Sequence, residues 1–407
     1  MRTVAVLVAL LAIPAALIAQ KPRSRDLGIP IGGTPGTYDA ITDVAGVEVG
    51  HTTLVSGSGR LVRGKGPVRT GVTVIHPRGK KNPDPVMGAW FTLNGNGEMT
   101  GTTWLQESGF LEGPVAITNT GSVGVVHDAI LAWQGDTPGL QPWGLPLVAE
   151  TYDGQLNDLS GFHVKPEHVS RALDAATSGP VQEGNVGGGT GMICHGFKGG
   201  IGTASRVLPK AQGGWTVGVL VQCNYGARRD LSIAGVPVGL EIGDLGACIA
   251  NPDTTVVGDY GLRRRCEGPV QRSDASRLPW EDGGELGSII VVVATDAPLL
   301  PHQLKRVATR VSLGIGRMGG KGNNSSGDIF VAFSTANPGV ASDTAVTAVR
   351  MLPNDAINGI FRGTVEATEA AITNALLAAE TMTGANDVRI FALPHDRLLA
   401  AMRKYGR

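Results

Sequence analysis

The sequence has no excess of charge of either sign and no long hydrophobic run after its first twenty residues. Lys plus Arg and Asp plus Glu both number 35 among 407 residues, so the formal net charge is zero. A balanced charge gives no indication of nucleic acid or an anionic membrane surface as a partner. No later segment approaches the ~18 apolar residues of a membrane-spanning helix. We therefore predict no nucleic-acid partner and, once the N-terminal segment is removed, no membrane partner.

Several catalytic and cofactor motifs are also missing. There is no Gly-x-Ser-x-Gly elbow and no His-Glu-x-x-His pair, and the eight histidines show no metal-ligand spacing. Two glycine-rich stretches do not fit a phosphate-binding loop, because 184–191 lacks the lysine and 319–322 has Gly322 where Ser or Thr should hold magnesium. We predict tight turns for both stretches, and neither a metal nor an organic cofactor.

Only four cysteines are present, and no two of them form a Cys-x-x-Cys pair. This spacing argues against a zinc site. Two interpretations remain open. In an oxidising compartment Cys248 and Cys266 could form a disulfide, or all four cysteines could be separate buried thiols.

The first twenty residues have the pattern of an export signal. Arg2 precedes the apolar stretch Val4–Leu17, and small residues stand before a cleavage point after Ala19. An uncleaved membrane anchor is the less favoured alternative, because the run is short for a membrane span. We predict a signal peptide at 1–19 and a periplasmic or secreted protein.

Strand-like and helix-like segments alternate along the rest of the chain. Apolar, β-branched runs predict buried strands at Trp215–Val221, Ser288–Ala294 and Ile329–Phe333. The clearest helix is expected to begin after Pro353 and to end at Gly384. Shorter helices are predicted at Val123–Trp133, Glu167–Thr177 and Pro301–Leu313. This alternation favours an α/β or α+β layered fold.

One region, 240–287, is irregular and polar and predicts a long loop. Loops of nearly fifty residues are usually functional or disordered. The loop ends at Gly287-Ser288, where a buried strand is predicted to begin. An N-terminal nucleophile requires such a junction, because its hydroxyl must attack the peptide bond before it and a glycine there tolerates strained backbone. The freed α-amine, with a reference pKa of about 7.7–8.0, then acts as general base.

The residues around this junction resemble the DmpA-type aminopeptidases, which include L-aminopeptidase/D-amidase-esterases and β-peptidyl aminopeptidases. The resemblance extends over nearly the whole chain after the export signal. The stretches that carry it are Arg25–Pro30, Ala40–Val44, Asn94–Glu98, Ala149–Gly154, Gly184–Gly202, Ser288–Leu299, Ser326–Phe330, Ala378–Gly384 and Ala392–Arg397.

This resemblance implies a fold and a processing event. The fold is a layered α/β structure, an αββα sandwich of the type shared with ornithine acetyltransferases, built as a single domain. The precursor is expected to cut itself into an α-chain, about Gln20–Gly287, and a β-chain, Ser288–Arg407. The segment before the cut is longer here than in the family pattern.

The resemblance also implies roles for individual residues. Ser288 corresponds to the nucleophile, and Ser326 and Asp328 correspond to the hydroxyl and the acid that hold its amine. Asn224 and Tyr152 are implied to stabilise the oxyanion. Glu150 and Trp143 are implied to line the substrate pocket.

The function predicted from these observations is hydrolysis of the amide or ester bond after an amino acid that has a free amino group, in small peptides, amides or esters. The family implies homotetramers of αβ units. Two alternatives stay open at this point. One is acetyl transfer of the ornithine acetyltransferase type, against which Ser288 and the export signal both argue, and the other is a non-enzymatic exported binding protein that stays uncleaved.

Overall fold

A computed structural model describes residues 21–141, 143–251, 262, 264–267, 287–341 and 346–407. The predicted signal peptide at 1–19 and most of the predicted 240–287 loop lie outside these residues. Within the described ranges, no helix combines the length and apolar character needed to cross a membrane. The chain is continuous from Gly287 into Ser288, so the geometry below is that of the uncleaved form.

A six-stranded sheet lies at the centre of the molecule. Its order is β4 (Phe110–Leu111), β3 (Val86–Gly95), β13 (Ser326–Ser334), β12 (Gly287–Thr295), β10 (Thr216–Asn224) and β9 (Gly200–Val207). The β12–β13 pair is parallel and the other pairs are antiparallel. The three strands predicted from the sequence are confirmed as β10, β12 and β13 with shifted ends. Strand β10 begins after Trp215 and runs on to Asn224, β12 gains one residue at each end, and β13 extends from Ser326 to Ser334. They are buried along their whole length apart from the half-buried Gly287, which is why their sequences read as continuous apolar runs.

A second, four-stranded sheet faces the first. Its order is β1 (Glu48–Ser56), β2 (Val68–His76), β5 (Val115–Asn119) and β6 (Leu147–Thr151). The inner face of this sheet and the facing side of the six-stranded sheet form one apolar core, in which Ile117 and Ala149 pack with Leu220, Ile290 and Val331.

Helices cover the outer face of each sheet. The bounds are α1 (Thr102–Ser108), α2 (Val123–Asp136), α3 (Pro166–Ala175), α4 (Val238–Glu241), α5 (Pro301–Arg317), α6 (Asn358–Ala378) and α7 (His395–Lys404). Helices α5 and α6 pack on the six-stranded sheet, and α2 and α3 pack on the four-stranded sheet. The predicted αββα sandwich is therefore confirmed.

The predicted helices are confirmed with shifted ends. The helix expected after Pro353 begins as a 3-10 turn, Asn354–Ala356, and continues as α6, which ends at Ala378 rather than at Gly384. The difference at the C-terminus arises because Met382–Thr383 form strand β14 against β15 (Val388–Ile390). A two-residue strand is too short to show a periodic pattern in the sequence.

Two small sheets and two disulfides complete the described structure. In the predicted 240–287 loop, Cys248–Ile249 form strand β11 beside β15, and Cys248 is bonded to Cys266. The other small sheet is a hairpin of β7 (Ile193–Cys194) and β8 (Phe197–Lys198). A second disulfide joins Cys194 of β7 to Cys223 of β10, and the sequence had not indicated this pairing.

Candidate active site

The junction Gly287-Ser288 opens strand β12 and lies between two neighbouring strands at one end of the six-stranded sheet. On one side Ser288 is opposite Asn224 of β10, and on the other it is opposite Gly327 of β13. Because β12 pairs with both β10 and β13, residues that are about forty to sixty positions from Ser288 in the chain lie beside it. This pairing is the reason why the predicted nucleophile, oxyanion donor and amine-binding pair meet at one place.

Ser288 is nearly buried, with 5% of its surface exposed. Its Oγ accepts a hydrogen bond from the Gly327 N–H at 3.1 Å. Because that N–H donates to Oγ, it fixes the position of the hydroxyl and favours the build-up of negative charge on it. The environment therefore suits a nucleophile.

Gly287 adopts a backbone conformation that suits glycine alone. Its φ is +113°, and a Cβ placed there would lie 1.9 Å from the backbone oxygen of Asn224. Both the conformation and the lack of space exclude any larger side chain. The residue whose carbonyl precedes the predicted nucleophile is thus held close to Asn224 in a conformation that only glycine adopts without strain.

Ser326 and Asp328 form a buried pair next to Ser288. The Ser326 hydroxyl donates to Asp328 Oδ1 at 2.7 Å, and both residues are fully buried. The Asp328 N–H donates to Asn94 Oδ1 at 2.9 Å. In the parallel pair Ser326 lies opposite Gly287, the residue that precedes the backbone nitrogen that cleavage before Ser288 would release.

The side-chain amide of Asn224 is held at both ends. Its Oδ1 accepts from the Ile193 N–H at 2.8 Å, and its Nδ2 donates to the Tyr152 carbonyl at 3.0 Å. An amide nitrogen carries two hydrogens, and the bond to Tyr152 uses one of them. A Cβ on Gly287 would be 3.3 Å from Nδ2, so this donor lies beside the junction. The arrangement suits stabilisation of an oxyanion.

Glu150 lies near the end of β6, one residue before Thr151 and two before Tyr152. Its carboxylate is buried, with Oε1 accepting from the Glu98 N–H at 3.1 Å and Oε2 accepting from the Thr120 hydroxyl. Burial raises the pKa of Glu150, opposed by these two hydrogen bonds, while the Glu98 charge raises it further. A carboxylate kept out of water gains strongly from a cationic partner.

Most of the predicted site residues line one cavity of about 390 Å³. Its wall includes Glu150, Tyr152, Asn224, Gly287 and Ser288. The ring of Tyr152 is partly exposed and lies against Gly154, where a Cβ would be 2.3 Å from the phenol oxygen. A nucleophile, an amide donor and an acidic group thus surround a space large enough for a small substrate.

Comparison with known proteins decides the family. Residues 39–390 match the family described as Peptidase family S58. The chain belongs to peptidase family S58. Among its relatives is Beta-peptidyl aminopeptidase BapA of Sphingosinicella microcystinivorans, which is 55% identical over 390 residues, or 96% of this chain and 94% of that protein.

Two solved structures place the S58 chain in a common fold. A Burkholderia sp. beta-aminopeptidase is 47% identical with a TM-score of 0.80, covering 95% of this chain and 99% of that one. The L-aminopeptidase D-Ala-esterase/amidase from Ochrobactrum anthropi is 45% identical with a TM-score of 0.80 over the same shares, and is described as a prototype for the serine aminopeptidases and a variant of the Ntn hydrolase fold. The predicted family resemblance and the predicted class, a serine hydrolase of the aminopeptidase type, are confirmed.

Three predicted site residues do not line this cavity: Ser326 and Asp328, which are fully buried, and Trp143. Trp143 lies elsewhere in the S58 structure. It is 64% exposed and lines a separate cleft of about 260 Å³ beside Arg78, Trp133 and Gln134. It follows α2 in an irregular segment, whose course cannot be deduced from the strand pattern.

Other residues of the S58 site had no assigned role in the sequence. Thr120, Gln155, Ile193 and Ser325 line the cavity, and Thr120 binds the carboxylate of Glu150. Thr120, Gln155 and Ser325 lie outside the stretches that carry the family resemblance, whereas Ile193 lies within Gly184–Gly202 and begins β7. Among the residues that the structure describes, no group of three or more His, Cys, Asp or Glu is placed to hold a metal ion.

Proposed function

We propose that this S58 chain is a self-processing aminopeptidase in which Ser288 is both the processing and the catalytic nucleophile. The observation that carries the proposal is the placement of Gly287-Ser288 between Asn224 and Gly327, where a Cβ on Gly287 would lie 3.3 Å from the amide nitrogen of Asn224. The family match supports this peptidase function over acetyl transfer and over a binding protein.

Processing would begin with attack of the Ser288 Oγ on the Gly287 carbonyl carbon. The hydroxyl proton passes to the Ser288 nitrogen, the C–N bond breaks, and an ester between Gly287 and Oγ replaces the amide. This shift frees the Ser288 amine, and water then hydrolyses the ester to a carboxylate on Gly287 and the free hydroxyl of Ser288. The cut defines the α-chain, 20–287, and the β-chain, 288–407.

Catalysis would repeat this chemistry on a substrate. The Ser288 amine takes the proton from Oγ as it attacks the substrate carbonyl, and returns that proton to the leaving amine. Asn224 Nδ2 and the Tyr152 phenol stabilise the oxyanion. Ser326 and Asp328 hold the Ser288 amine and stabilise its protonated form. Water then releases the bound amino acid as the free acid.

We propose small peptides and amides with a free amino group as substrates, with an N-terminal β-amino acid as the preferred first residue. The buried carboxylate of Glu150 supports recognition of the substrate ammonium. The 55% identical relative, named a beta-peptidyl aminopeptidase, supports the β-amino acid.

The test is turnover of a matched panel of p-nitroanilides. We expect hydrolysis of β-homoalanyl p-nitroanilide, weaker hydrolysis of L-alanyl and D-alanyl p-nitroanilide, and none of the N-acetylated compounds. Transfer of acetyl from acetylornithine to glutamate, in place of hydrolysis, would support the rival transferase. No turnover of any free-amine substrate by cleaved protein would contradict the proposal.

We expect Gly287→Ala to slow self-cleavage at least about tenfold. The added Cβ meets the Asn224 carbonyl at 1.9 Å, and φ of +113° is strained for alanine, so the junction must move away from the amide donor. The fraction of cleaved chain against time, read by gel and mass spectrometry, measures the rate. Gly316→Ala is the matched control, because its Cβ meets nothing within 4 Å. Equal cleavage rates in both variants would contradict this interpretation of the strain.

We expect Glu150→Gln to raise KM for free-amine substrates about 10- to 100-fold, the scale of a lost charge-assisted hydrogen bond. In the wild type, KM should rise as the pH falls, because protonation removes the charge of Glu150. The rise should occur at a higher pH than the pKa of an ordinary glutamate would give, because burial raises the pKa of Glu150. In the variant this rise should be absent. Exposed Glu107→Gln is the control. A KM profile that is identical in wild type and Glu150→Gln would exclude Glu150 as the ammonium site.

We also propose that the protein is exported, with cleavage after Ala19, and assembles as a homotetramer of αβ units. The export signal pattern and the family resemblance support these two proposals. N-terminal sequencing of the α-chain tests the first, with Gln20 expected as its first residue. Light scattering on the purified protein tests the second.

A further inference from the structure

The hairpin of β7 and β8 forms one side of the candidate oxyanion site. Within the part of the chain that the structure describes, it pairs with no further strand, and its turn, His195-Gly196, has a left-handed residue in His195 with φ of 49°. Isolated two-stranded hairpins are marginally stable in water. The position of this hairpin therefore depends on what attaches it to the rest of the molecule.

Residues 193–195 of the hairpin are attached to residues 223–225, which are the last two residues of β10 and the residue after it. The Ile193 N–H donates to Asn224 Oδ1 at 2.8 Å, and the His195 N–H donates to the Tyr225 carbonyl at 2.6 Å. Between these hydrogen bonds lies the disulfide that joins residues 194 and 223. The only covalent link in this attachment thus adjoins the bond that orients Asn224.

The Ile193 N–H and the Tyr152 carbonyl together decide which end of the Asn224 amide faces the junction. A carboxamide is nearly symmetric in shape, but one end donates hydrogen bonds and the other accepts them. While the Ile193 N–H holds Oδ1, Nδ2 is directed towards Tyr152 and Gly287. If the hairpin moved away, the Tyr152 carbonyl alone would select this orientation, and each rotation of the amide that turns its oxygen towards the developing oxyanion would remove the stabilisation.

The strand itself does not need the disulfide. Cys223 is opposite Gly200 of β9 and Ile289 of β12, so ladder hydrogen bonds hold β10 on both sides. Opening the bridge is therefore expected to loosen the Ile193–Cys194 strand while the central sheet stays intact. The turn of the hairpin keeps the hydrogen bonds that Arg228 donates to the carbonyls of His195 and Gly196. Both sulfur-bearing residues are fully buried, so the link is protected once formed.

We propose that Cys194 and Cys223 are positioning residues of the reaction: their disulfide holds the β7–β8 hairpin so that the Ile193 N–H keeps Asn224 Nδ2 turned towards the reacting carbonyl. This inference rests on the proposed function of Asn224. It adds a dependence of the chemical step on the redox state of a disulfide that makes no contact with the substrate.

The chain contains a matched control in its second disulfide, Cys248–Cys266. That bridge joins β11 to Cys266, and neither cysteine lines the cavity. Cys266 is partly exposed, so a reductant should open this bridge first. Loss of Cys248–Cys266 also removes one disulfide from the chain, but it leaves the contacts of the hairpin unchanged.

The test compares the double variants Cys194→Ala/Cys223→Ala and Cys248→Ala/Cys266→Ala, after alkylation and peptide mapping have located the bridges in the wild type. In cleaved protein, we expect the first variant to lose at least tenfold in kcat, up to the roughly 10²–10³-fold of a lost oxyanion donor, with KM within twofold. The second should keep its kcat within twofold. A fall in kcat at constant KM indicates loss of the oxyanion donor's position, whereas general loosening of the pocket would also raise KM.

A second measurement covers the case in which the first variant does not fold. Treatment of wild type with a phosphine converts each disulfide and one water into two thiols and a phosphine oxide. We expect kcat to survive opening of Cys248–Cys266, to fall when Cys194–Cys223 opens, and to return on reoxidation with oxidised glutathione.

Free, alkylatable Cys194 and Cys223 in active oxidised protein, or an unchanged kcat after this bridge is removed, would overturn the inference and leave the proposed function standing. A wild type that hydrolyses no free-amine substrate would instead remove the proposed function.

Discussion

Ser288→Ala should remain one continuous chain and lose hydrolytic activity by at least roughly 10⁴-fold. The alanine has no oxygen to attack the Gly287 carbonyl, so no ester forms and the residue 288 nitrogen stays an amide. Both the nucleophile and its base are then missing. Intact-mass spectrometry measures the chain, and p-nitroanilide release measures turnover.

Two further variants serve as comparisons for Ser288→Ala. Ser288→Cys keeps a nucleophile at the same place and should retain measurable self-cleavage through a thioester. The exposed Ser160→Ala should behave as wild type. A Ser288→Ala protein that hydrolyses the substrates at more than a few per cent of the wild-type rate would require another nucleophile.

Asn224→Ala should lower kcat of cleaved protein by roughly 10²–10³-fold, the usual effect of removing one oxyanion donor, with little change in KM. The reason is that Nδ2 lies beside the Gly287-Ser288 junction and gains most when negative charge develops on the attacked oxygen. Activity is expressed per β-chain with a free N-terminus, because slower self-cleavage is expected in the same variant.

The control for Asn224→Ala is Asn82→Ala, an exposed asparagine far along the chain from the junction. An equal rise in KM and fall in kcat/KM, with kcat unchanged, would assign Asn224 to substrate binding and not to the oxyanion. Loss of melting temperature without a kinetic effect would leave it a purely structural role.

Much of the fold follows from the sequence because its central strands are buried on both faces. Continuous β-branched runs such as Ser288–Ala294 indicate buried strands. The register of β12 with β10 and β13 then brings Ser288 and Asn224 together. The helix after Pro353 is similarly clear from its apolar spacing. The family resemblance supplied the layer order that the pattern alone leaves open.

The rest of the site depends on contacts between distant loops. The bond from Ile193 to Asn224 and the Cys194–Cys223 bridge join segments about thirty residues apart through a hairpin too short to give a periodic pattern. The partners of Glu150, which are Thr120 and the Glu98 N–H, come from two different loops. Trp143 shows the reverse case, a predicted pocket residue whose loop runs to another face.

The most direct measurement of the central claim is the identity of the first residue of the small chain in purified, active wild-type protein. Mass spectrometry with N-terminal labelling should find two polypeptides, the smaller beginning at Ser288 with a free α-amine, and activity rising in proportion to their amount. Full activity in a preparation where residues 287 and 288 are still joined by an amide would contradict the account.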